Sequence, residues 1–281
     1  MNSSTFLGLT TFSFLLASFL YIAMLVFRSS KIGVAATAIT IISVMLQTIG
    51  IGLRWVESYQ MGIGHAPLTN MYESVVFFAW TIGIIYIGLE WKLRTKTIGA
   101  FAIPLAFLAM AYASFAPINK GINPLVPALQ SNWLLSHVIT CFVGYAGFAV
   151  AAALGIMYLS KEKFTATGQK TKDNEIFPSL SVLDDLIHKC IVFGFIWLSG
   201  GIITGAVWAN SAWGTYWSWD PKETWSLITW FVYAFTLHAR YTRGIKGRTI
   251  AWLSLLGLLS VVFTYYGVNF LLSGLHSYGS N

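Results

Sequence analysis

The chain has 281 residues, of which 56% are hydrophobic and only 10% charged. A soluble domain carries about 25% charged residues, so this chain cannot cover a water-exposed surface and is expected to be an integral membrane protein. Its formal net charge of +7 is not gathered on any soluble segment, which argues against a nucleic-acid partner; the basic residues fall in short groups between apolar runs, where they set membrane orientation.

A spanning helix takes roughly 20 mostly apolar residues. Eight runs meet or approach that length: 5–27, 32–53, 71–91, 98–116, 133–159, 187–208, 224–239 and 249–273. The expected fold class is all-α, a polytopic membrane protein of about eight transmembrane helices forming a single membrane domain over 1–281. Such unbroken runs exclude barrel strands, which alternate in polarity. No Lys or Arg precedes the first run and no small-residue cleavage site follows it, so no cleavable signal peptide is expected. The loops after the first, third, fifth and seventh runs carry fourteen of the 17 Lys and Arg residues, and the opposite loops hold only Arg54, Lys120 and Lys222. The positive-inside rule then places both termini outside. The polar insert 161–189 reads as a cytoplasmic connector and 209–223 as an outer-face loop. No GxxxxGK[ST] motif is present, so no ATPase motor is encoded. Cys141 and Cys190 lie in different runs with no CxxC and no CxxCH, which points to buried small hydrophobes rather than thiol–disulfide exchange or covalent haem attachment to the chain itself.

The outer loop contains WGTYWSWDPKETW, from Trp213 to Trp225. Tryptophan favours the membrane–water interface, but an aromatic belt is spread over many helix ends, whereas this cluster is local. Asp220 is placed to N-cap the seventh helix, with Pro221 at its first position and Glu223 at its third, a capping-box pattern. That gives Asp220 and Glu223 a structural task. A fixed aromatic platform suits a large, flat, apolar molecule, with Lys222, Tyr216 and the indole N–H groups to meet polar substituents. Porphyrins and quinones both fit that description, and histidine separates them.

His137 sits near the outer end of the fifth run and His276 just past the eighth, so the topology brings both to the side of the tryptophan loop. Two imidazoles across a flat aromatic pocket hold haem iron. His238 lies toward the inner end of the seventh run. An ionisable group within a span is a functional candidate, although its nearness to Arg240 also suits the interface, and the residues alone leave that open. His188 reads as interfacial, as do Glu73 and Glu90. His65 lies in an outer loop where nothing in its spacing demands a site.

At these residues the chain resembles a known family. The text from Trp208 through WGTYWSWDPKETW to Trp230 resembles the WWD signature of haem-handling proteins. GHAPLTNMYES, GFIWLSGGIITGAVWA, LHAR and GVNFLLSGLHSYG resemble the CcsA type of that family (also called CcsB or ResC), from system II cytochrome c biogenesis. The likeness runs from about His65 to Gly279. It implies a subunit that moves haem b outward and presents it in the WWD site, where its vinyl groups form thioethers with CxxCH of an apocytochrome c. It implies a ResB/CcsB-type membrane partner, with which the chain forms the catalytic half of a synthetase. By resemblance, His137 and His276 match outer axial ligands, His238 matches an inner ligand completed by the partner, and Trp213, Trp217, Trp219 and Asp220 match the platform. The implied location is the bacterial inner membrane with the loop on the periplasmic face, the plastid thylakoid being the alternative. A haem carrier or exporter that performs no ligation is the competing function, and an aromatic quinone site in an electron-transfer subunit is a third.

Overall fold

A computed structural model of the protein describes residues 2–166, 177–272 and 274. The described residues form eight long helices: α1 (Ser3–Phe27), α2 (Ser30–Gln60), α3 (Met71–Leu93), α4 (Gly99–Phe115), α5 (Asn132–Ala166), α6 (Leu180–Trp213), α7 (Pro221–Arg243) and α8, which runs as Arg248–Val262, a π-helical stretch Phe263–Gly267 and a last turn Val268–Leu271. They match the eight apolar runs one for one. Six are long and apolar enough to cross a membrane. The others are α4, at 17 residues, and α7, whose ends carry Lys222, Glu223, Arg240 and Arg243. The protein is an all-α polytopic membrane protein.

Polar residues at helix ends carry several helices past their apolar cores. α2 continues through Arg54 to Gln60. α6 starts at Leu180, where Ser179 Oγ accepts from Val182 N. Helix therefore occupies both ends of the 161–189 insert, and the turn between α6 and α7 is only 214–220 rather than 209–223.

α1 packs on α2 and α4, and α3 on α4; α5 packs most extensively on α6 and also meets α3 and α8. α5 is thus the central strut. Its stretch GYAGFAVAAALG, 144–155, is rich in Gly and Ala, which allow helix backbones to approach closely in a lipid setting. A Cβ on Gly144 would lie 2.9 Å from Leu198 N and 3.0 Å from Gly194 O on α6, so only glycine fits there.

Glu73 and Glu90, expected at the interface, lie near opposite ends of α3 and are both buried inside the bundle. Hydropathy cannot reveal the partners that make burial tolerable. Arg54 Nε meets Glu73 Oε1 at 2.7 Å, while Arg54 Nη2 donates to the carbonyls of Lys120 and Gly121 at 2.9 and 3.0 Å. Glu73 Oε2 accepts from Thr69 N and Oγ1. Near the opposite end of α3, Glu90 accepts from Thr37 (2.6 Å), Tyr86 (2.5 Å) and Tyr21 (3.1 Å), with Lys96 at 3.3 Å. There too, Arg240 grips Asp184 through two bonds of 2.9 Å each, tying α7 to α6. Both cysteines are free and buried, as expected.

Breaking a fully desolvated ion pair strands the remaining charge, which costs about 3–5 kcal/mol. Arg54→Ala is therefore expected to lower the thermal unfolding midpoint in detergent well below that of Lys189→Ala, whose i,i+4 partner Asp185 is exposed to solvent. Equal midpoints for the two variants would contradict this assignment of the Arg54–Glu73 pair.

Candidate functional site

At the end of the bundle that carries the tryptophan loop, α3, α5, α6, α7 and α8 enclose an open-mouthed cavity of about 170 Å³. Its wall is mainly apolar, and the polar groups that reach it include His137 and Cys141 from α5, Lys222 and Glu223 from α7, Tyr265 and Asn269 from α8 and Tyr216 from the loop. A concave apolar site with sparse convergent polar groups is the usual form of a small-molecule pocket.

The His137 ring is fixed on two sides. It stacks on Trp208 of α6, with centroids 5.7 Å apart and an interplanar angle of 22°. Its Nδ1 donates to the carbonyl of Gly201 at 2.8 Å. A carbonyl only accepts, so Nδ1 carries a proton, and in the neutral ring the lone pair is on Nε2. That tautomer, with Nδ1–H held by a backbone carbonyl, is the one that ligates a metal through Nε2. The glycines opposite make room for it. A Cβ on Gly205 would lie 2.6 Å from His137 Nδ1, and one on Gly201 would lie 2.5 Å from Cys141 Sγ.

Trp208 Nε1 donates to Ala128 O at 2.9 Å and so holds the 3-10 turn Pro127–Leu129 over the cavity rim. The Trp213 ring stands 5.0 Å from Trp208 at 61°. Gly214 then turns the chain with φ 78°. Trp217 lines the cavity, and its Nε1 is buried with no hydrogen-bond partner among the described residues. Trp219 packs edge-on to Trp217 at 5.7 Å and has φ 60°. A left-handed backbone at a bulky residue is uncommon and must be held by its surroundings. The capping box supplies that hold: Asp220 Oδ1 accepts from Lys222 N at 2.9 Å, and Glu223 Oε2 accepts from Asp220 N at 3.2 Å and Ser218 N at 2.7 Å.

The sequence-derived candidates thus fall into distinct places. His137 and Trp217 line the cavity, Trp213 backs Trp208, and Trp219 backs Trp217 while itself exposed. Asp220 is buried as the cap of α7. His276 lies outside the described residues. His238 is not part of this cavity: it sits on an exposed face of α7, towards the far end of that helix. His65 is buried, with Nδ1 3.0 Å from Ala66 O and Nε2 3.0 Å from Asn123 O, and staples two loops beside the cavity.

Several lining residues escaped the sequence reading. Cys141 and Tyr145 follow His137 at i+4 and i+8 on one face of α5, a signal that was available. Tyr265 comes from the π-helical stretch of α8, and its hydroxyl pairs with Ser74 Oγ at 2.5 Å. Thr264, in the same stretch, bonds Thr229 at 2.8 Å. π-bulges of this kind gather at functional sites, but hydropathy carries no trace of them.

Residues 68–276 match the family described as cytochrome c assembly protein. The chain belongs to that family. It is 41% identical to the cytochrome c biogenesis protein CcsA of Guillardia theta, across 99% of this chain and 95% of the relative. It is 37% identical to CcsA of Gloeobacter violaceus, across 89% and 86% respectively. Among solved structures it resembles the cytochrome c haem lyase CcmF with a TM-score of 0.67 and 15% identity, which speaks to the fold alone. The match covers 94% of this chain but only 47% of that one, so this cytochrome c assembly protein spans about half the length of the solved neighbour.

Loss of an N-cap side chain costs about 1 kcal/mol, whereas Asn caps nearly as well as Asp. Asp220→Ala is expected to lower the thermal midpoint measurably, with Asp220→Asn close to the parent chain. An Asn variant as unstable as the Ala variant would show that the Asp220 charge, rather than its capping bond, holds the loop.

Proposed function

We propose that this cytochrome c assembly protein is the haem-handling subunit of a system II cytochrome c synthetase, which moves haem outward and presents it under the tryptophan loop to CxxCH of an apocytochrome c. The observation that carries this reading is the His137 imidazole, turned into an apolar cavity and held through Nδ1 so that Nε2 bears the lone pair. The other cavity features suit the same substrate. A flat ring can stack against Trp217, whose buried N–H needs an acceptor, and the apolar wall accepts a porphyrin face.

In this reading His137 and His276 are the axial ligands of haem b at the outer site. Trp213, Trp217 and Trp219 form the platform, and Asp220 holds that platform in place. His238, on the exposed face of α7, serves an inner site whose second ligand comes from a ResB/CcsB-type partner subunit. The loop end faces outward, with both termini on that side, in the inner membrane of a bacterium or the thylakoid of a plastid. The connector within 161–189 is then cytoplasmic.

The chain's contribution is positional. Fixing the iron and the ring plane leaves one ring edge open at the cavity mouth, where two thiols can be held against the vinyl groups. Converting an encounter into a fixed geometry is worth several orders of magnitude in rate. Each thiol S–H adds across a vinyl C=C, so the step requires no external oxidant, and the reactive group belongs to the haem.

The test co-expresses the chain with a ResB-type partner and a CxxCH apocytochrome, and measures covalent haem in the product. His137→Ala is expected to lower thioether product at least about tenfold, with loss of low-spin b-type absorption from the purified complex. Gly205→Ala, which pushes on the same ring, is expected to lower both in part. Wild-type product and spectrum in His137→Ala would overturn the outer-site assignment. Haem delivered without thioether formation by the parent complex would make the protein a carrier.

A further inference from the structure

Lys222 is the cation that the cavity keeps closest to its apolar wall. Its Nζ donates to Asn269 Oδ1 at 3.0 Å and stands 5.7 Å from the centre of the Tyr265 ring, and all three residues line the cavity. An ammonium has three donors, and Asn269 takes one. No carboxylate of the described residues forms an ion pair with it. The two nearby acids also accept from the backbone: Asp220 Oδ1 from the N–H of Lys222, and Glu223 Oε2 from Ser218 and Asp220. The Asp220 carboxylate acts on the ammonium electrostatically but makes no ion-pair contact with it. A cation so sparsely compensated against apolar surroundings is costly, and an anionic ligand group lowers that cost.

We infer that Lys222 is the anchor for a carboxylate on the edge of the flat ligand, which for haem is a propionate. This rests on the reading of the cavity as a haem site and adds a direction to it. His137 fixes the iron and the tryptophans fix the plane, but neither prevents the ring from rotating about the iron or entering the other way round. Protoporphyrin carries its carboxylates on one edge and its vinyl groups elsewhere on the ring. A carboxylate held at the start of α7 therefore selects which edge is presented at the mouth and which vinyl meets which thiol. Tyr265 and Asn269, from the π-helical stretch and the turn after it, hold the lysine in that position.

The full-length chain in detergent is titrated with iron(III) protoporphyrin IX and, separately, with its dimethyl ester, which has the same iron and plane but no charge. The parent chain is expected to prefer the diacid by on the order of tenfold or more, the worth of a charge-assisted bond. Lys222→Gln is expected to bring that ratio close to that of the two porphyrins in detergent alone while still binding the ester, and Lys222→Arg to keep most of the preference. A lysine that only bridges α7 to Asn269 would weaken both ligands alike. A diacid preference unchanged in Lys222→Gln would overturn the inference while leaving the haem reading intact. The absence of any His137-dependent low-spin spectrum with either porphyrin would instead sink the haem reading and this inference with it.

Discussion

The backbone approach of α5 to α6 sets the geometry of everything at the loop end. Side chains are absent at Gly144 and Gly194 where the two helices touch, and at Gly201 and Gly205 where the cavity begins. The first pair brings the helices close enough for a carbonyl of α6 to reach a ring on α5. The second pair leaves that carbonyl and that ring room to meet. The bond from His137 Nδ1 to Gly201 O follows from this spacing. In a lipid setting such contacts replace the hydrophobic effect as the source of helix association, so one set of glycines contributes to the fold and to the tautomer of the site histidine.

The loop depends on a second, smaller device. Trp219 has a backbone conformation that a bulky residue adopts only under constraint, and the next residue begins a helix whose cap is closed from both sides. Glu223 gathers the N–H groups of Ser218 and Asp220, the residues on either side of Trp219. Charge in this motif is therefore spent on shape, and Trp217 is held against the cavity by it. The π-helical stretch of α8 completes the enclosure from the opposite wall, since the extra residue in its turn carries Tyr265 to Ser74 and Asn269 to Lys222.

How legible this was in the sequence follows the range of each interaction. Membrane helices depend on local apolar length, and the eight runs were visible for that reason. The capping box at Asp220 is equally local and was read correctly. Helix ends were misjudged at Arg54 and Leu180 because hydropathy stops at the first polar residue, whereas a buried partner such as Glu73, or a cap such as Ser179, lets the helix continue. The burial of Glu73 and Glu90 is hidden for a related reason: partners such as Arg54, Thr37 and Tyr21 come from other helices. His137 could be nominated from its depth, but its tautomer could not, because the acceptor is 64 residues away. The roles of Cys141, Tyr265 and Asn269 depend on how α5, α7 and α8 converge, which only the assembled bundle reveals.

If His137 Nε2 holds the iron inside this cavity, free imidazole should replace the ring once it is removed. In a chain also lacking His238 (His238→Ala), which removes the inner candidate, His137→Gly leaves a space the size of an imidazole beside Trp208. The haem-loaded protein is titrated with free imidazole while its visible spectrum is recorded. The His137→Gly chain is expected to lose the low-spin spectrum and to regain it, saturably, as imidazole fills the space. A low-spin spectrum that persists in His137→Gly without added imidazole would contradict it, because the iron would then be held by some other pair of ligands.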